Sequence, residues 1–125
     1  MNLELAHRAV ACKHWRWMPG MILSLNGLRR HVFRVGIEGI QFDSGWASLL
    51  DLQTNPTALP DLDEPSTRGC LLELVRKAWG DSLAVCIPRS YTNWEVRLIP
   101  LHGWTHCAWG SSESEALVAA LEAAP

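Results

Sequence analysis

Residues 63–80 of the chain, DEPSTRGCLLELVRKAWG, predict one amphipathic helix with a clear beginning and end. Asp63 is a residue type that caps helices, and Pro65 fits the first turn, where N–H groups have no partner within the helix. Gly80 follows the last apolar residue, and glycine commonly ends a helix there because it tolerates a positive φ. This helix is the element around which we expect the rest of the chain to pack.

The apolar residues of this stretch recur at spacings of three and four, which places them on one helix face. They are Thr67, Cys70, Leu71, Leu74, Val75, Ala78 and Trp79. We therefore expect Leu71 and Leu74 to be buried against a sheet. Arg76 and Lys77 belong to the opposite, polar face, which is a candidate surface for a partner.

The composition is that of a single globular domain spanning residues 1–125. The chain has 48% hydrophobic and 19% charged residues, and it contains no apolar run long enough for a membrane span. The N-terminus carries Glu4 and lacks the apolar region of a signal peptide. Four widely spaced cysteines favour free thiols in a reducing compartment. We expect a cytoplasmic protein without membrane contact.

Charge is distributed unevenly along the chain. Residues 1–40 contain six Lys and Arg against two Asp and Glu, whereas residues 41–82 contain three against seven. The net charge of −2 is far from the strongly basic footprint of a dedicated nucleic-acid-binding domain.

The N-terminal third predicts a helix over residues 3–12 and then a β-hairpin. Asn26-Gly27 marks its turn, because both central positions of the favoured hairpin turn need positive φ. The second strand places Arg30 and Arg34 around Val32, which indicates a wet, basic face. Residues 40–42 predict a third short strand, residues 46–52 fit strand or helix equally, and residues 53–60 read as a loop.

The C-terminal part predicts a three-stranded meander and a last helix. Its strands are expected at residues 83–87, 94–98 and 104–109, the first buried on both faces and ended by Pro88. In the second strand Glu95 and Arg97 alternate with apolar residues, so they are expected on the solvent face. Ser112 and Glu115 form a capping-box pattern before the helix. The fold class is α+β, with a mostly antiparallel sheet packed against a central and a C-terminal helix.

Two groups of residues are candidates for a binding site: a set of metal-ligand types and a cationic, aromatic segment. The metal candidates, Cys86, His102, His106 and Cys107, are of the types that bind zinc, which makes a zinc-stabilised domain one hypothesis. No paired cysteine motif anchors them, and adjacent strand residues such as His106 and Cys107 point to opposite faces. We find no catalytic or cofactor motif, so we expect neither enzymatic activity nor a cofactor.

Cationic and aromatic residues interleave in the N-terminal third. The candidates for contact with nucleic acid are Trp15, Arg16, Trp17, Arg29, Arg30 and Arg34. Arginines would contact phosphates, and the indoles would stack on unpaired bases. The favoured alternative is that Trp15 or Trp17 packs between helix and sheet while the cations remain solvated.

The sequence resembles a loose group of short proteins encoded by tailed phages and prophages of Gram-negative bacteria. The resemblance rests on Trp17-Met18-Pro19-Gly20-Met21, on residues 59–80 and on residues 114–124, a little over a quarter of the chain. It implies a phage accessory protein that acts in the cytoplasm of the bacterial host and binds a host protein or protein complex, such as an anti-CRISPR inhibitor of host defence. The seven tryptophans fit this leading hypothesis, because exposed Trp beside charge is a common hot-spot composition.

Overall fold

The computed structural model describes residues 2–27, 32–42, 45–99 and 105–125, and it omits the side chains of residues 105 and 106. The described residues form four helices: α1 (Leu3–Ala11), α2 (Leu49–Thr54), α3 (Pro65–Trp79) and α4 (Glu113–Ala123). They also form eight strands: β1 (Ile22–Leu25), β2 (Val32–Arg34), β3 (Gly39–Phe42), β4 (Gly45–Ser48), β5 (Ala58–Pro60), β6 (Val85–Ser90), β7 (Asn93–Leu98) and β8 (Thr105–Gly110). The predicted α+β class with antiparallel sheets is confirmed.

Helix α3 begins and ends close to its predicted bounds. Pro65 occupies the first turn, and Gly80 ends the helix with a φ of +63°. The predicted cap is wrong: Glu64 holds the N-cap position and makes no side-chain capping bond. Asp63 lies in a turn instead, where its N–H donates to Asp61 Oδ1 over 3.1 Å.

The C-terminal strands form the sheet β6-β7-β8, with β7 in the middle. Helix α4 lies across all three strands. The cross-strand row Cys86, Val96 and Ala108 belongs to the face that packs against the core. Gly110 approaches α4 so closely that an added Cβ would stand 2.3 Å from the backbone nitrogen of Ala116.

Helix α3 packs along α4, and it also meets β1, where Thr67 Oγ1 accepts a hydrogen bond from Ile22 N over 2.9 Å. Leu71 and Leu74 are buried, as expected, but they join a core in which α4 is the shared neighbour. Trp79 Nε1 donates to the carbonyl of Ala120 over 2.8 Å, which ties the end of α3 to α4. The element with the most packing partners is therefore α4, which contacts α1, α3 and the meander.

The N-terminal strands pair in the order β2-β1-β5. The loop predicted over residues 53–60 is wrong at both ends, because residues 53 and 54 belong to α2 and Ala58–Pro60 pairs with β1. Asn26 and Gly27 both have positive φ, as the hairpin signal requires. The register pairs Ser24 with Val32, however, so more residues separate the strands than a two-residue turn contains.

The ambiguous stretch 46–52 contains both kinds of element. Strand β4 pairs with β3 in a separate two-stranded sheet, and α2 follows at once. Ser48 caps α2 in a reciprocal capping box with Asp51. Phe33 and Phe42 meet edge to face at 5.0 Å, which links this small sheet to the N-terminal one.

Two expectations for the strands need correction. The strand predicted to end at Pro88 runs on to Ser90 as β6, with a register shift between these two residues. It is not buried on both faces, because its first three residues are half-buried and its last three are exposed. The wet side predicted for the second strand agrees with the described residues of β2, where Val32 and Arg34 are exposed on one side and Phe33 is half-buried. None of the described helices is long and apolar enough to cross a membrane.

Candidate functional site

The N-terminal indoles are structural. Trp15 and Trp17 are 1% and 4% exposed, and their rings meet edge to face at 5.3 Å. The side chain of Gln53 in α2 accepts from Trp17 N over 2.9 Å and donates to the carbonyl of Trp15 over 3.1 Å. The packed alternative of the sequence analysis therefore holds, and neither ring is available to stack on a base.

The cations of the same segment line a groove beside α3. The groove is an open depression of about 220 Å³, lined by Lys13, His14, Arg16, Leu74, Lys77 and Ala78. We call it the basic groove. It brings together Arg16 and Lys77, which the sequence offered as candidates for separate reasons. Lys13, Arg16 and Lys77 form no ion pair with any described carboxylate.

The remaining cationic candidates lie elsewhere. Arg76 turns away from solvent: its Nε donates to the carbonyl of Ala84 over 2.9 Å, and its Nη1 contacts Glu73. Arg34 is exposed, and its Nη1 lies 3.5 Å from the carbonyl of Gly20. Arg29 and Arg30 lie outside the described residues.

The meander has a second side, remote from α4, which we call the outer face. The register places Ile87, Glu95 and Trp109 in one cross-strand row and Val85 and Arg97 in the next. The helix that packs along the described part of the meander, α4, contacts the opposite side. The outer face thus presents aliphatic, aromatic and charged side chains on a rigid sheet.

Glu95 is the residue of this face that sequence reasoning misplaced. It was expected in solvent, yet its side chain is fully buried. Arg97 Nη2 makes a short contact with Glu95 Oε1, and Arg89 Nε lies 4.0 Å from the same oxygen. A buried carboxylate is stable only when cations or hydrogen-bond donors compensate it. The sequence did contain a signal for this burial. Arg97 follows Glu95 by two positions, and Arg89 lies on the preceding strand, across the β6–β7 turn.

The tryptophans with described side chains divide into packed and exposed ones. Trp109 on β8 is 51% exposed and Trp46 on β4 is 55% exposed, so two indoles of similar exposure lie on different sheets. Trp104 lies outside the described residues. Only Trp109 among the described indoles combines exposure with a neighbouring ion pair on its own face.

The metal candidates are only partly described. Cys86 on β6 and Cys107 on β8 are half-buried on the two strands that flank β7, and burial raises the pKa of their thiols to about 12 and about 11. His102 and the side chain of His106 lie outside the described part of the chain. The described residues contain no group of three or more His, Cys, Asp or Glu side chains placed to hold a metal ion.

Protein-family models, curated proteins and solved structures contain no significant match to this chain.

Proposed function

We propose that the protein acts by binding another protein through the outer face of the meander. The observation that carries this proposal is Trp109, half-exposed in the same cross-strand row as the buried, arginine-paired Glu95. Tryptophan and arginine are the residue types most enriched at the energetic centres of interfaces.

The ion pair gives this surface rigidity. Glu95 holds Arg97 in place, and Arg89 is within 4.0 Å of the same carboxylate. Side chains that are ordered before binding lose little conformational entropy when a partner covers them. Among the described residues of this face, two guanidinium groups lie around one carboxylate, which is an excess of positive charge. The face suits a partner that presents an apolar patch beside a carboxylate.

The resemblance to phage accessory proteins supports a search for the partner among host proteins, including defence complexes. On this proposal the chain is a non-enzymatic inhibitor or adaptor rather than a catalyst. For the alternative of nucleic-acid binding, the cations remain candidates for contact with phosphates. Trp15 and Trp17 cannot stack on bases, because both rings are buried.

The test compares two tryptophans of nearly equal exposure. Wild-type protein, Trp109→Ala and Trp46→Ala serve as baits in lysates of a Gram-negative bacterium. We expect one specific protein with the wild type and with Trp46→Ala, and at least about tenfold less of it with Trp109→Ala. Capture that survives Trp109→Ala but is lost with Trp46→Ala would show that the outer face is not the binding surface.

A further inference from the structure

Both lysines of the chain, Lys13 and Lys77, line the basic groove although 63 positions separate them in the sequence. Arg16 and His14 complete its polar wall. We propose that the basic groove is a binding site for the phosphate group of a small organic ligand. This site is separate from the outer face and does not depend on it.

Arg16 is oriented for such a ligand. Its Nη1 donates to the carbonyls of Lys13 and Trp15, over 3.1 Å and 2.6 Å. These contacts fix the guanidinium plane and leave the N–H groups of Nε and Nη2 for an anion. A guanidinium edge of this kind matches two oxygens of a phosphate, and the ammonium groups add charge from either side.

The segment that carries Lys13 and Arg16 is anchored by buried side chains and backbone hydrogen bonds. Trp15 and Trp17 are buried, and Gln53 bonds to the backbone of both. His14 Nε2 lies 3.3 Å from the carbonyl of Ala124, which places its ring at the edge of the groove. Glu73, an acidic side chain on the same part of α3, is paired with Arg76.

The floor of the groove indicates a small ligand rather than a polynucleotide. Leu74 and Ala78 provide an apolar base for the organic part of a phosphate ester. About 220 Å³ accommodates one phosphate with a short organic group, and no described indole stands exposed there to stack on a base. The net charge of −2 also gives the molecule no general attraction for a nucleic-acid backbone.

The two lysines provide a direct readout of binding. Reductive ¹³C-methylation keeps their charge and gives each lysine a resolved NMR signal, which the variants Lys77→Ala and Lys13→Ala assign. Pyrophosphate is the probe, added up to about 10 mM at constant ionic strength with sodium chloride. We expect both lysine signals to shift along one saturable curve. No saturation, or equal shifts with sodium chloride alone, would overturn the site.

The matched variants compare cations inside and outside the groove. Lys77→Ala should weaken pyrophosphate binding at least about tenfold, because it removes one charge-assisted contact. Arg34→Ala removes an exposed cation elsewhere and should change the affinity less than about twofold. Equal effects of the two variants would mean that net charge, and not the groove, attracts the anion.

A third titration separates the small ligand from nucleic acid. A short single-stranded DNA should bind no more tightly than pyrophosphate, with a salt dependence that reports one or two phosphate contacts. Tighter binding with a salt slope of more than about three phosphates would overturn the small-ligand assignment in favour of a nucleic-acid surface.

Discussion

Glu95 shows how a single residue can change the interpretation of a strand. Alternation along β7 assigns it to solvent, but Arg97 and Arg89 lie around its carboxylate and the side chain is fully buried. A buried ion pair gives little net stability compared with an apolar pair, yet removing one partner leaves a charge uncompensated. The residue is therefore sensitive to substitution whatever the pair contributes overall.

Glu95→Gln should lower the free energy of unfolding by about 3 kcal/mol, because the guanidinium of Arg97 then loses its buried counter-charge. Denaturant unfolding measures this loss. The control is Glu122→Gln, which breaks the exposed pair with Arg8 and should cost less than about 1 kcal/mol. Similar losses for the two variants would contradict the assigned role of the Glu95 pair.

The half-buried thiols predict a loss of stability in base. Burial raises the pKa of Cys86 to about 12 and of Cys107 to about 11, from an ordinary value of 9.0. Above pH 9 the unfolded chain loses these protons while the folded chain retains them, so the free energy of unfolding should fall as pH rises toward 11. Below pH 9 the two thiols should contribute no pH dependence.

The measurement is denaturant unfolding from pH 8 to pH 11 for the wild type and for Cys86→Ala with Cys107→Ala. The double variant should show a flatter decline, even if it is less stable throughout. Parallel curves would mean that other groups cause the alkaline loss. The same thiols should react slowly with iodoacetamide at neutral pH, because the thiolate is the reactive form.

At the scale of elements, the last turn of α3 carries two neighbouring cations with different roles. Arg76 is bonded within the protein, and Lys77 is not paired with a described carboxylate. Arg76 bonds to the carbonyl of Ala84 and contacts Glu73, so its side chain holds the connection that leads to β6. Lys77, the next residue, is exposed and forms no ion pair with a described residue. Helical spacing placed Arg76 and Lys77 on the same outward surface. It does not show that the side chain of Arg76 bends back to bond with the segment after the helix.

Arg76→Ala should lower the free energy of unfolding by about 1–2 kcal/mol, through loss of a hydrogen bond to a buried carbonyl. Lys77→Ala should change it by less than about 0.5 kcal/mol. Thermal or denaturant unfolding of the two variants side by side checks the contrast. If the two losses are equal, the contact between Arg76 and Ala84 does not stabilise the turn.

Leu74→Ala tests the contribution of α3 to the core. Leu74 is 4% exposed and belongs to the main core cluster. Removing its side chain should cost about 2–5 kcal/mol, as large-to-small core substitutions do. A variant of unchanged stability would show that α3 contributes little to the core.

The sequence predicted the elements whose signals are local. The apolar spacing of α3, Gly80 after its last turn and the Ser112 cap of α4 are encoded within a few residues, and all three are observed. Strand β5 has no such signal, because three residues become a strand only through pairing with β1. The register between Ser24 and Val32 is likewise set by long-range packing.

The candidate sites also combine features that are encoded locally with features set by long-range packing. Residue types predicted that Arg16 and Lys77 were available cations, but their meeting in one groove depends on how residues 13–17 pack beside α3. The backbone of Trp15 and Trp17 is bonded to the side chain of Gln53, which lies 36 positions beyond Trp17. Only the fold brings these residues together, so neither periodicity nor composition reveals the groove.

At the scale of the whole molecule, stability should be uneven. Helix α4 contacts α1, α3 and the meander, and its buried residues are fully enclosed in the core. The β3–β4 sheet contacts α2 as its main neighbour, with the Phe33–Phe42 contact and the buried Ile40 as further attachments. Regions with few buried contacts open locally at lower free energy than the global unfolding transition.

Native-state hydrogen exchange should therefore resolve two classes of amide. Those of α4 and β7 should exchange only through global unfolding, whereas those of β3 and β4 should exchange through a local opening of smaller free energy. Val96→Ala sharpens the test, since Val96 is fully buried under α4 and its truncation lowers global stability. The variant should speed exchange in α4 and β7 and leave the rates in β3 and β4 unchanged. If β3 and β4 instead follow α4 in both proteins, the small sheet unfolds with the core, and the molecule is one cooperative unit despite its three separate sheets.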